Sequence, residues 1–216
     1  MAYLTVALAK GRLAKDTLKR LQKAGMGQAV DMDSRKLVFR DEADKIDYLL
    51  VKPVDVITYV EKGIADIGIV GKDIILEQGI DVYELLDLNF GICAFAVAGF
   101  PQTNLYGPEK VLKIATKFPN ITKKYFAGKR DIETIYLNGS VELAPLMNMS
   151  HVIVDLVETG NTLKENGLVT LEKMFDISAK VISNKSSYQF FNEKINTFIK
   201  AVESEENNNV TDYSWQ

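Results

Sequence analysis

The chain has 216 residues, 47% of them hydrophobic and 25% charged, with a formal net charge of −3. That length holds one large domain or two small ones, and the composition is that of a globular protein. The acidic balance gives no footprint for nucleic acid, no apolar run is long enough to span a membrane, and the N-terminus lacks a basic segment leading into an apolar signal core; no nucleic-acid or membrane partner and a cytoplasmic location are therefore expected.

From the N-terminus, residues 3–8 alternate like a strand that runs toward Gly11, and Ala14, Leu18 and Leu21 then fall at helical spacing up to Gly25. Residues 36–40 and 48–51 read as strands, Pro53 opens a helix carrying Val54, Ile57 and Val60, and Gly63 stops it. Residues 65–70 are again strand-like, with Gly71 leading into another helical segment. This alternation predicts an α/β fold with a largely parallel sheet.

A second series begins after Leu88. Residues 92–98 read as a strand holding the lone Cys93 as a packed residue, followed by a turn-rich stretch to Pro108. Strands at 114–116, 132–137 and 151–157 alternate with helices at 121–126 and 140–147. Two lobes follow, with a crossing near residues 89–91 and a cleft between them. Two faint echoes support the division: residues 8–11 resemble 136–139, and residues 66–71 resemble 154–160, each strand ending beside a glycine. Open α/β sheets bind ligands at such strand ends. Lys10, Arg12, Arg35, Lys52 and Lys72 all lie at predicted loop or strand ends, where they can converge despite the net charge. Further on, residues 169–174 and 179–182 are β-like, and Phe191, Ile195, Phe198, Ile199 and Val202 make one helical docking stripe. The segment 204–216, rich in Glu and Asn, reads as a disordered tail.

Residues 152–163 carry the chemistry. An apolar strand ends in acidic residues, and Thr159, Gly160, Asn161 and Thr162 lead into a polar segment. Backbone N–H groups at such a turn, with the unpaired donors of a helix that starts there, make a phosphate cradle that two threonine hydroxyls extend. Asp155 and Glu158 can accept hydrogen bonds from sugar hydroxyls. A phosphate beside a ribose is the pattern of a phosphoribosyl pyrophosphate loop. The same residues also suit a strand-to-helix turn with Thr159 as N-cap.

The surrounding block resembles the ATP phosphoribosyltransferase family. Glu142, Ser150, Ile153, Asp155, Leu156, Thr159, Gly160, Thr162 and Leu163 fit its signature, whereas Asn148 stands where the family has glycine; Asn tolerates positive φ, so the turn is expected to persist. Residues 9–13, 34–37, 65–73, 83–88, 114–120 and 124–127 look like further family segments, in order through most of residues 1–188. The resemblance implies a two-lobed fold like a type II periplasmic binding protein, with residues 1–89 as lobe I, 183–203 returning to it, and 90–182 as lobe II. It implies transfer of a phosphoribosyl group from phosphoribosyl pyrophosphate to N1 of the adenine of ATP, the first step of histidine biosynthesis. On the matched positions, Asp155, Glu158, Thr159, Gly160, Asn161 and Thr162 would bind phosphoribosyl pyrophosphate. Lys10, Gly11, Arg12, Gly139, Ser140 and Glu142 would bind ATP, and Arg35 and Lys52 would carry leaving-group charge. The family often has arginine at position 52; lysine keeps the charge and loses the bidentate fork. Mg²⁺ is expected on the substrate oxygens rather than in a protein cage. The length resembles the family's short form, which implies a homodimer joined to a histidyl-tRNA-synthetase-like regulatory subunit in a hetero-octamer.

A neutral ring nitrogen needs no strong general base, and the sole histidine, His151, at a strand start, is expected to be structural. Two other classes share parts of this pattern. A two-lobed binding protein would have the fold without the chemistry, and a phosphoribosyltransferase acting on a free base would share only the loop.

Overall fold

In the computed structural model, which describes residues 2–108 and 110–203, the apolar run Leu4–Ala9 forms a central strand (β1), buried at five of its six positions, as a strand covered on both faces requires. The chain continues through α1 (Arg12–Lys23), β2 (Val38–Asp41), β3 (Ile46–Val51), a short 3₁₀ turn at Pro53–Asp55, α2 (Val56–Glu61), β4 (Ile67–Gly71), α3 (Lys72–Gln78) and β5 (Tyr83–Asp87). Then come β6 (Cys93–Gly99), β7 (Leu112–Thr116), α4 (Pro119–Phe126), β8 (Ile132–Tyr136), α5 (Leu143–Leu146), β9 (Val152–Val157), α6 (Asn161–Glu165), β10 (Val169–Ile177), β11 (Ala179–Ser183), α7 (Lys185–Phe190) and α8 (Asn192–Glu203). What was expected of residues 204–216 lies outside the described residues.

The chain divides into two compact units. The first comprises the chain up to Ile74, Ile80–Phe90 and the chain from Ala179; the second comprises Ile75–Gly79 and Gly91–Ser178. The expected end of the second lobe at residue 182 is corrected: β11 pairs antiparallel with β4 and β5 and so belongs to the first unit. The division also falls inside α3, which periodicity does not reveal.

In the first unit the sheet order is β2-β3-β1-β4-β11-β5. Helix α1 buries Ala14, Thr17, Leu18 and Leu21, and α8 adds the expected stripe of Ile195, Phe198 and Val202 to the same core. Helix α2 approaches β4 so closely that a Cβ on Gly68 would lie 2.7 Å from Val56 Cγ1 and 2.8 Å from Val60 Cγ2; only glycine fits there. Asp66, 9% exposed, ties the unit together. Its carboxylate accepts the Thr5 N–H at 2.8 Å and the Ser187 hydroxyl at 2.7 Å, and its carbonyl accepts the Ser183 hydroxyl at 2.7 Å. These bonds join β1, β11 and α7 around the entry to β4.

In the second unit the order is β10-β6-β9-β7-β8. Phe95, Val97 and Val154 face one core with Phe118, Ile121 and Phe126, whereas Ala98, Ala115 and Ile153 face another with Val141, Ala144 and Leu163. Glu77, near the end of α3, caps α4: its two carboxylate oxygens accept the N–H groups of Asn120 and Ile121, each at 3.0 Å.

Both sheets are mixed rather than largely parallel, and they share one plan. In the run β3-β1-β4-β11-β5 and in the run β8-β7-β9-β6-β10, two parallel pairings are followed by two antiparallel ones. Strands β4 and β9 are therefore equivalent, as the echo of residues 66–71 in 154–160 expected. The echo of residues 8–11 in 136–139 pairs β1 with β8, which hold different places, and is corrected.

Asn at position 66 would present an NH₂ to one of the two donors that the carboxylate now accepts. Asp66→Asn is expected to lower stability by about 1.5–3 kcal/mol, the range for a lost hydrogen bond to a charged group, as measured by urea unfolding.

Candidate functional site

Strand β9 sits in the middle of the second sheet, and its alternation builds the site. Ile153, Asp155 and Val157 share one face and lie opposite Ala98, Ala96 and Ala94 of β6. The strand then ends in the exposed Glu158 and Thr159, and Gly160 turns the chain into α6 with φ 74° and ψ 2°. Gly160, not Thr159, is the N-cap; Thr159 Oγ1 accepts the Asn161 N–H at 3.5 Å instead. The first intrahelical bond runs from the Lys164 N–H to the Gly160 carbonyl at 3.0 Å, so the N–H groups of Asn161, Thr162 and Leu163 precede the helical ladder. Buried Leu163 roots this short helix in the core.

These residues wall a cavity of about 230 Å³. Asp155, Glu158, Thr159, Gly160, Asn161 and Thr162 all line it, which brings together every residue expected to bind phosphoribosyl pyrophosphate. Glu142, expected beside ATP, lines the same cavity, whereas Gly139 and Ser140 stand exposed on the loop before it. Ala96 and Ala98, which motif reading missed, form part of the floor. Their signal was the alternation of Ala94, Ala96 and Ala98 with Phe95 and Val97: bulk on one face of the strand and methyl groups on the other.

The helix expected at residues 140–147 is reduced to the single turn of α5, capped by Glu142. Ser140 has φ 48°, in the left-handed region that a helix excludes, and Pro145 offers no N–H for an i−4 bond. Asn148 has φ 54°, the conformation anticipated at a position where the family carries glycine.

In the first unit, Lys10, Gly11 and Arg12 follow β1 and are exposed, with Gly11 capping α1 at φ 130°. The Lys10 N–H donates to the Val51 carbonyl at 2.8 Å, next to exposed Lys52 at the end of β3. The Leu50 N–H donates to the Leu37 carbonyl at 2.8 Å, which brings the loop of exposed Arg35 to the same end of β3. Four cations thus belong to the same end of strands β1, β3 and β2. Lys72 does not join them freely, because it is paired with Glu84.

His151 Nδ1 accepts the Lys113 N–H at 3.1 Å, a strand-closing contact outside the cavity, and Cys93 is half-buried at the start of β6. Among the described residues, no group of three or more His, Cys, Asp and Glu is arranged to hold a metal, and no helix is long and apolar enough to cross a membrane.

A glycine turn into a helix at the end of a central strand, with carboxylates on that strand and just after it, is the arrangement that the sequence associates with a phosphoribosyl-binding protein, here on a two-unit α/β fold. The HisG family model, ATP phosphoribosyltransferase, matches residues 52–204. The chain belongs to the ATP phosphoribosyltransferase family. It is 57% identical over 208 residues to the ATP phosphoribosyltransferase of Clostridioides difficile, covering 96% of this chain and 100% of that relative. Among solved structures, the ATP phosphoribosyl transferase (HisG:HisZ) complex from Thermotoga maritima matches with TM-score 0.82 and 36% identity, over 93% of this chain and 97% of that one. The VFT2 domain of Bordetella pertussis BvgS matches with TM-score 0.57 and 9% identity, over 95% of this chain and 88% of that one, a likeness of fold alone. The expected fold, two-lobed and like a type II periplasmic binding protein, is the one observed.

A Cβ at Gly160 would meet nothing closer than Val157 Cγ1 at 3.9 Å, so the obstacle to a side chain is the backbone conformation and not space. Gly160→Ala is expected to cost about 1–2 kcal/mol in thermal unfolding and to weaken ribose 5-phosphate binding in titration calorimetry.

Proposed function

We propose that the chain joins N1 of the adenine of ATP to the anomeric carbon of phosphoribosyl pyrophosphate, releasing pyrophosphate and opening histidine biosynthesis. The observation that carries this reading is the cavity in which Asp155 and residues 158–162 converge within a chain of this family. The N–H groups at the start of α6 and the hydroxyls of Thr159 and Thr162 would hold the 5-phosphate. Asp155 and Glu158 would accept hydrogen bonds from the ribose hydroxyls.

The new bond forms from the N1 lone pair, and the bond to pyrophosphate breaks with its electron pair on the leaving oxygen. A neutral ring nitrogen already has that lone pair, so alignment and charge stabilisation are the enzyme's main tasks. Arg35 and Lys52 would oppose the charge developing on the pyrophosphate. Lys10, Gly11 and Arg12, with Gly139, Ser140 and Glu142, would bind ATP. Three carboxylates line the cavity, namely Glu142, Asp155 and Glu158, so a polyanion entering it needs a counter-charge. Mg²⁺ carried on the substrate would supply that charge.

For assembly, the name of the Thermotoga maritima complex supports a HisZ-like partner. We extend this to a homodimer that joins a histidyl-tRNA-synthetase-like regulatory subunit in a hetero-octamer, with histidine inhibition exerted through that subunit. A cytoplasmic location fits soluble substrates of this kind.

The direct test follows product nucleotide and pyrophosphate by chromatography, with ATP, phosphoribosyl pyrophosphate, Mg²⁺ and pyrophosphatase present. Stoichiometric formation of both products is expected; silence with and without a regulatory subunit would favour a binding protein. Replacing Thr159 and Thr162 together with valine is expected chiefly to raise KM for phosphoribosyl pyrophosphate, each lost hydroxyl bond costing about 1.5–3 kcal/mol. Unchanged kinetics would remove the loop from the site. In the same assay, Lys52→Ala is expected to lower kcat more than it raises either KM, because its partner charge develops only as pyrophosphate departs.

A further inference from the structure

The cavity is walled by loops from two different strands: Glu142 follows β8, whereas Asp155 and residues 158–162 end and follow β9. Strand β7 lies between them and contributes nothing to the wall among the described residues. Its last residue, Thr116, is nonetheless bonded to both neighbours. The Thr116 carbonyl accepts the Leu137 N–H at 3.1 Å, just before the loop that leads to Glu142. The Thr116 hydroxyl donates to the Val154 carbonyl at 2.7 Å and accepts the Phe118 N–H at 2.9 Å. The side chain is wholly buried, and its hydroxyl both donates and accepts.

The bond to Val154 matters because of where it falls. The Val154 carbonyl and the Asp155 N–H belong to one rigid peptide plane, so fixing the oxygen fixes the plane from which Asp155 projects. Pairing of β7 with β9 ends at Thr116 and Val154, whereas Asp155 still pairs with Ala96 on the β6 side. The hydroxyl is thus a side-chain tie at the last residue of β9 that pairs on the β7 side before the turn at Gly160.

We propose that Thr116 is a positioning residue of this site: it sets the angle at which Asp155 and the following turn meet the ribose phosphate, while touching no substrate itself. The inference rests on the reading that the cavity binds phosphoribosyl pyrophosphate. Removing the hydroxyl takes one donor from the Val154 carbonyl and the side-chain acceptor from the Phe118 N–H, which loosens the end of β9. The tie to Leu137 is made by backbone and survives any change of side chain. The effect therefore falls on one substrate and not on the other.

The experiment compares Thr116→Val and Thr116→Ser with the unaltered chain, by titration calorimetry with phosphoribosyl pyrophosphate and by steady-state kinetics. The valine variant is expected to weaken binding about tenfold, equivalent to about 1.4 kcal/mol, with KM for ATP held within about twofold, and the serine variant to restore the affinity. A folded valine variant with unaltered affinity overturns the proposal. So does an equal rise in both KM values, which marks general damage, or a serine variant as weak as valine. If the valine variant does not fold, Thr116→Ser against Thr116→Ala makes the same comparison, since those two differ only in the hydroxyl. An unaltered chain that binds no phosphoribosyl pyrophosphate removes the functional reading and this inference with it; a binding parent beside an unmoved variant removes the inference alone.

Discussion

Two backbone hydrogen bonds hold the outgoing and returning chain side by side where the first unit gives way to the second. The Leu88 N–H donates to the Ala179 carbonyl at 2.9 Å, and the Ala179 N–H donates to the Phe90 carbonyl at 3.0 Å. The strand that follows each passage then takes the same place in its sheet: β6 beside β9 in the second unit, β11 beside β4 in the first. Each sheet thus receives a strand delivered through the junction and antiparallel to its partner, and in the second unit that partner, β9, leads into the cavity-lining turn. β9 is held on its β6 side along its whole length, which is why a turn as short as the one at Gly160 can present a defined surface.

The electrostatics of the site are local. A chain of net charge −3 can favour a polyanion only through local groups, because its overall field does not attract one. Lys10, Arg12, Arg35 and Lys52 lie at the same end of strands β1, β3 and β2, while the cavity of the second unit is lined by residues of the α6 turn and by three carboxylates. Helix α6 has only five residues, so its macrodipole is small, and what its first turn can offer a ligand is hydrogen-bond geometry. Geometry of that kind depends on the strand beneath it, which places the burden on β9 and on whatever holds its end.

Much of this was legible in the sequence where local signals and burial agree. The strand before Asp155 is apolar throughout, its turn carries glycine, and the positive φ at Asn148 followed from the side chain's known tolerance. The errors have a common origin in long-range pairing. Ala179–Ser183 reads as a strand in either unit, and only its partners β4 and β5 decide which. The mixed sheets, the inequivalent echo of residues 8–11 and the partnership of Lys72 with Glu84 likewise depend on neighbours far away in sequence. The overlong helix at α5 was a different failure, in which an apolar period hid the strained Ser140 and the missing N–H of Pro145. Substrate identity came from resemblance to a family; periodicity alone reached only a phosphate beside a sugar.

The junction also bears on how such a molecule can be assembled over evolutionary time. Gly91 and Ser178, the ends of the large segment of the second unit, are each one residue from the bonded pair Phe90 and Ala179. That segment is thus an insert whose two ends emerge together, the arrangement that lets a module be exchanged without a linker. The exchange would not be clean, because Glu77 lies outside the insert and its carboxylate caps α4 within it. A transplanted module would have to bring the end of α3 with it, or grow an N-cap of its own.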